Sequence, residues 1–113
     1  MPPKSNPLRL NKLQLKTLTL FQELARSPQT STEQQNGDVL ITMLPRPHGN
    51  HFHIGERVVM AADASGLQNP AAWRALERKG LIMGNFPLAL VLTQAGRDYP
   101  TEMRDAILIG ADH

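Results

Sequence analysis

The stretch Ala62-Asp63-Ala64-Ser65-Gly66-Leu67 leads into Asn69-Pro70, then Glu77-Arg78-Lys79-Gly80-Leu81-Ile82, then Leu90-Val91-Leu92-Thr93-Gln94-Ala95-Gly96. Its reading decides the fold of this 113-residue chain. Ala62 is a small residue late in a short helix predicted from about residue 56, where a second helix can cross closely. Gly66, four positions on, suits a turn residue at positive φ. Leu67 is an apolar plug beneath the turn. Asn69 caps the next helix and Pro70 fits its first position. Trp73 and Leu76 face inward on that helix, Ala72 and Ala75 let it lie close, and Gly80 ends it. Residues 81–83 and 88–92 predict a hairpin around Gly84-Asn85-Phe86-Pro87. Thr93 caps a last helical segment, interrupted at Pro100 and resumed from Thr101 to about Ile109.

Just upstream the local signals compete. Val58-Val59 favours a strand and Ala61-Ala62 a helix; the helix is preferred because the segment after it is helical in pattern. Farther back, Asn11 and Gln14 have capping-box spacing and open a helix to about Ala25. Leu13, Leu20, Phe21 and Leu24 keep one face of it, and Leu10, Leu15 and Leu18 widen that face. So broad an apolar face belongs in a core or a dimer interface. Residues 27–37 are polar and read as a loop. Val39 to Leu44 predicts a strand, and His51-Phe52-His53-Ile54 a second one paired back on it. The organisation expected is a proline-rich flexible arm over 1–9, one domain over 10–109 and a short tail over 110–113.

The ordered set Ala62, Gly66, Leu67, Asn69-Pro70, Lys79-Gly80-Leu81-Ile82 and Leu92-Thr93-Gln94-Ala95-Gly96 resembles the winged helix-turn-helix domain, including that of MarR-type regulators. The resemblance covers about a third of the chain. It implies an α+β fold, mainly helical with a small antiparallel sheet or β-wing. It also implies a dimeric, DNA-binding transcription regulator with the second helix in the major groove. On that reading Gln68 and Asn69 read bases, Arg74 and Arg78 meet phosphates or guanine, and Arg97 adds a backbone contact. Double-stranded DNA and a second copy are the expected partners. Leu13, Leu20, Phe21 and Leu24 are the expected dimer face, with Ala106-Ile107-Leu108-Ile109 as a further element.

Charge argues partly against DNA. Twelve Lys and Arg against ten Asp and Glu leave a net charge of +2. Lys4, Arg9, Lys12 and Lys16 precede the first acid, Glu23, so the basic character sits in the arm and first helix. The segment 83–88 holds no Lys or Arg, although phosphate neutralisation supplies most non-specific affinity. An apolar tip with Met83, Phe86 and Leu88 suits a protein partner or the domain's own core. A non-catalytic interaction module is therefore the alternative.

Pro47-His48-Gly49-Asn50-His51-Phe52-His53 gathers three of the four histidines. On a strand His51 and His53 point to one side, and His48 can reach over the turn. A transition metal such as zinc, copper or nickel is the third expectation, with Glu56, Asp112 or His113 completing the set. Only two residues lie between His53 and Glu56, fewer than in the His-x-His pattern of cupins, and the strands of a cupin barrel are missing. The absence of Cys excludes disulfides, thiolate zinc sites and a Cys nucleophile. No phosphate-binding glycine loop, Gly-x-Ser-x-Gly elbow or His-Glu-x-x-His helix occurs, so no enzyme is expected. No apolar run is long enough for a membrane span, and a cytoplasmic setting is expected.

Overall fold

A computed structural model describes residues 6–54 and 57–110, excepting the side chains of Pro47 and His48. It is an α+β fold: one central helix, a short helical pair beside it, and two four-stranded antiparallel sheets.

Helix α1 (Lys12–Leu24) starts at the capping box read from sequence: Gln14 N–H donates to Asn11 Oδ1 at 2.8 Å, and Asn11 N–H to Gln14 Oε1 at 3.0 Å. Five consecutive residues, from Thr17 to Phe21, are no more than 1% exposed. A helix enclosed on all sides at that level lies inside the fold, so the core explanation of its broad apolar face holds. Leu20, Phe21 and Leu24 have no surface left for a second copy, and Leu13 is only half-buried. The buried threonines are satisfied locally: the Thr17 hydroxyl donates to Leu13 O at 2.7 Å, and the Thr19 hydroxyl to Leu15 O at 2.7 Å.

The first sheet runs β1 (Ser31–Glu33), β2 (Val39–Ile41), β7 (Ala89–Leu92), β6 (Ile82–Asn85). Its register sets Val39 and Ile82 opposite Leu92, and Ile41 opposite Leu90. These residues form the inner face, all 2% exposed or less. The polar segment 27–37 thus contains a short edge strand, and the predicted strand from Val39 stops at Ile41.

The second sheet runs β3 (Pro47–His48), β4 (His51–Ile54), β5 (Arg57–Met60), β8 (Leu108–Gly110). It corrects three expectations. The histidine strand pairs with β3 and β5, not with the strand at Val39. The helix predicted from about residue 56 is strand β5 through Met60. The resumed C-terminal helix is only α4 (Arg104–Ile107), after which residues 108–110 pair with β5. Tertiary pairing decides both segments: β5 lies between two partner strands, and Phe52, Ile54, Val59 and Leu108 alternate onto the core.

Between β5 and α2 (Pro70–Arg78) the chain forms a 3-10 helix, Ala61–Gln68, rather than the end of an α-helix. The small residues at its crossing with α1 are Ala64 and Gly66; Ala62 is exposed. Gly66 does not have positive φ, contrary to expectation. A Cβ there would lie 1.7 Å from Thr17 Oγ1, so glycine is required by close approach. Gly80 does adopt positive φ, +77°, just past α2.

Helix α3 (Gln94–Asp98) is capped by Thr93, whose hydroxyl oxygen accepts from Gly96 N–H at 3.1 Å. The arm is anchored from Asn6 onward. Leu8 N–H donates to the Tyr99 hydroxyl at 3.1 Å, Tyr99 hydrogen-bonds Asn6 Oδ1, and Leu10 is 4% exposed. Among the described residues no helix is long and apolar enough to cross a membrane.

Candidate nucleic-acid interface and histidine hairpin

Helix α2 begins where the Asn69 side chain accepts from Ala71 N–H at 2.9 Å and Ala72 N–H at 3.4 Å, with Pro70 in the first turn. Its inner face is Ala72, Trp73 and Leu76, each 3% exposed or less. Trp73 links three parts of the molecule. Its Nε1–H donates to Leu67 O at 3.3 Å, and its ring meets Phe21 edge-on at 5.2 Å and Phe86 edge-on at 5.1 Å. The tip of the β6–β7 hairpin therefore folds back over α2 instead of standing clear of it. The turn closes through Leu88 N–H donating to Asn85 O at 2.8 Å. Pro70, Trp73, Arg74, Glu77, Gly84 and Phe86 line a groove of about 210 Å³ between helix and hairpin.

The solvent side of α2 carries Arg74, at the rim of that groove, and Arg78, both exposed and neither in an ion pair among the described residues. Gln68 is exposed just before the helix. Asn69 is placed differently from the other expected base readers. Its oxygen is engaged by the helix cap, which leaves the amide NH₂ as the group able to meet a partner.

Arg97 lies away from this face on α3. It donates to Gly37 O at 2.7 Å and pairs with Glu33 at 3.4 Å, bracing the β1–β2 connection. Lys16, one of the early unopposed bases, is held by Asp63 at 2.6 Å. Lys79, not singled out from the sequence, donates to Leu8 O at 2.6 Å. That contact brings the arm carrying exposed Arg9 to the end of α2 that carries Arg78. The signal for it was present as a third base in Arg78-Lys79, but its partner is 71 residues away.

The hairpin itself is apolar. Met83 is 53% exposed, Phe86 37% and Leu88 70%. Phe86 partly covers Trp73, whereas Met83 and Leu88 face outward.

On the second sheet, period two puts His51, His53, Val58, Met60 and Ile109 on the outer face, opposite the core-facing residues. His51 Nε2 and His53 Nε2 are 3.2 Å apart, with ring centroids 4.9 Å apart and planes at 76°. His51 Nδ1 also lies 3.3 Å from Asn50 Oδ1. The side chain of His48 is outside the described residues, as are Glu56, Asp112 and His113. Among the described residues no group of three His, Cys, Asp or Glu side chains is placed to hold a metal.

Elsewhere, Glu23 is only 10% exposed in its side chain and bonds Arg104 Nε at 2.7 Å, holding α4 against α1. This hydrogen bond, followed by the attraction of the charges, raises the Arg104 pKa above its ordinary value. No protein-family model, curated protein or solved structure matches the chain.

Proposed function

We propose that the chain is a winged-helix module that binds double-stranded DNA through α2 and acts as a cytoplasmic transcription regulator. The observation that carries this reading is α2 itself. It is fastened from within by Trp73 and presents Arg74 and Arg78 outward without ion pairs among the described residues. Support for the wing comes from chain order: α1, β2, the 3-10 helix, α2, β6, β7, with β7 between β2 and β6 in the sheet. On this reading β3–β5 form an insertion between the first wing strand and the helical pair.

In the docked state Gln68 and the Asn69 amide face base edges, while Arg74 and Arg78 meet phosphates or guanine. Lys79 and Arg9 stand behind them at the end of the helix. The hairpin contributes no phosphate contact. Two to four cationic contacts at a slope of about −0.9 each give a log–log salt dependence of about −2 to −4. Fluorescence anisotropy with a mixed-sequence duplex, from low to moderate salt, measures it. The Arg74→Ala/Arg78→Ala variant reduces the slope by about 2 units. No binding at low salt, or binding indifferent to salt, removes the proposal.

The exposed Met83 and Leu88 favour a second reading, a protein-interaction module or homodimer contact through the hairpin. Such a dimer uses the hairpin rather than α1, whose apolar residues are enclosed. Sedimentation of Leu88→Asp against the native chain tests it: equal association states eliminate the hairpin contact.

A further inference from the structure

We infer that the cavity between the end of α1 and α3 is a binding site for a small zwitterion, an α-amino acid with a short apolar side chain. The inference is independent of DNA binding. The cavity holds about 300 Å³ and is lined by Gln22, Ala25 and Arg26 at the end of α1 and just beyond it, Leu92 of β7, and Arg97 and Asp98 of α3. That volume is at the lower end of the range of about 300–1,000 Å³ for ligand pockets, so its occupant is small.

Gln22 is held firmly in the wall. Its Nε2 donates to Gly96 O and to Tyr99 O, both at 2.8 Å. Carbonyl oxygens only accept, so the amide must turn its NH₂ toward them, and this fixes where Oε1 lies. That oxygen has no hydrogen-bond partner among the described residues. No buried side-chain oxygen among those residues lacks a partner, so Oε1 is an accessible acceptor on a residue that lines the cavity.

The two guanidiniums keep donors in reserve. Arg97 uses Nη1 for both of its contacts, Gly37 O at 2.7 Å and Glu33 at 3.4 Å, which mount the side chain and leave Nε and Nη2. Arg26 Nε is 3.7 Å from Glu23, beyond hydrogen-bond length. Both Glu23 oxygens are instead engaged by Arg104, at 2.7 and 3.3 Å. Arg26, with 64% of its side chain exposed, is thus the surplus cation of that group. Such planar donors match a carboxylate. An ammonium needs acceptors, and Gln22 Oε1 and the Asp98 carboxylate supply them. Asp98 is exposed and in no ion pair among the described residues.

The charges that line the cavity or pair with its lining balance: Arg26, Arg97 and Arg104 against Glu23, Glu33 and Asp98. A lone anion would meet the Asp98 carboxylate, and a lone amine would meet two guanidiniums. A ligand that is neutral as a whole but carries both charges suits the wall best. Leu92, a core residue, and Ala25 add an apolar part of that wall for its side chain.

The test titrates the isotope-labelled full chain with L-valine, followed by two-dimensional amide NMR. Saturable binding is expected with a Kd of about 1 mM or tighter, within reach of a ligand of about eight non-hydrogen atoms. The Gln22 side-chain amide and the backbone amides of 25–26 and 96–98 are expected to shift. Three comparison probes are 3-methylbutanoate, which lacks the amine, isobutylamine, which lacks the carboxylate, and inorganic phosphate. Each is expected to bind at least about tenfold more weakly, because it leaves charged groups of the wall unpaired. Arg26→Gln and Asp98→Asn alter exposed side chains, and circular dichroism verifies their folds. Each is expected to lose at least about tenfold in affinity for L-valine, whereas Arg74→Ala on α2 retains it. Weaker binding than about 1 mM, shifts confined to other residues, a comparison probe within that factor of ten, or a smaller loss in either variant overturns the assignment.

Discussion

Gly66→Ala is the sharpest test of how the helical pair is held on α1. A Cβ at position 66 would stand 1.7 Å from Thr17 Oγ1 and 3.0 Å from Thr17 Cβ. The hydroxyl cannot swing aside freely, because it donates to Leu13 O at 2.7 Å within a fully enclosed helix. Forcing a methyl into such a contact costs about 1–3 kcal/mol. Displacing the hydroxyl from its acceptor adds about 1 kcal/mol. Replacing glycine in a helical segment returns about 0.5–1 kcal/mol. The net expectation is a loss of about 1–3 kcal/mol, or about 4–12 °C in Tm for a domain of this size. Urea titration and thermal melting followed by circular dichroism measure both. Thr17→Ala removes Oγ1 and Cγ2, so in the Gly66→Ala background it is expected to restore at least about 1 kcal/mol relative to additivity. A Gly66→Ala protein as stable as the native chain, or a strictly additive double variant, would refute the close-approach argument.

Three further substitutions separate scaffold from surface. Asn69→Ala removes the cap oxygen of α2 and is expected to cost about 1 kcal/mol in urea titration, whereas Asn69→Ser stays within a few tenths. Phe86→Ala breaks the edge-on contact with Trp73 and is expected to cost about 1–2 kcal/mol and red-shift tryptophan emission as water reaches the indole; an unchanged spectrum and stability would detach the hairpin tip from α2. Glu23→Gln weakens the attachment of Arg104 and is expected to cost about 1 kcal/mol, with faster amide exchange confined to 104–110; uniform exchange across the chain would contradict a local anchor.

Local chemistry made part of the fold legible. The Asn11–Gln14 capping box, the Asn69-Pro70 helix start, Gly80 and the 81–92 hairpin all depend on residues within a few positions of one another. What remained hidden depended on distant partners. Val58-Val59 and Ala61-Ala62 are nearly balanced locally, and strands β4 and β8 decide between them. Ala106-Ile107-Leu108-Ile109 reads equally as an apolar helix, and only the free edge of β5 turns its end into a strand. Gly66 was singled out rightly but for its backbone angle, while the structure shows a steric reason located on α1. The candidate surfaces divide in the same way. Period two put His51 and His53 on one side from sequence, but not the 3.2 Å between their nitrogens, nor Met60 across from them. The charges of Arg74 and Arg78 could be read as exposed. The engagement of Lys16 by Asp63 and of Arg97 by Gly37 could not, since each partner is far away in sequence.

The pairing of β8 with β5 also bears on how this chain comes off the ribosome. Strand β5 is synthesised well before residues 108–110, and until they emerge one of its edges has no partner. During that interval the nascent chain presents an open edge bearing Val58 and Val59, the kind of strand that recruits other chains. Arg57 at its start is a charge of the sort that discourages such pairing. Completion of the second sheet therefore waits for residues 108–110, and chains stopped short of residue 108 are expected to be the ones that aggregate.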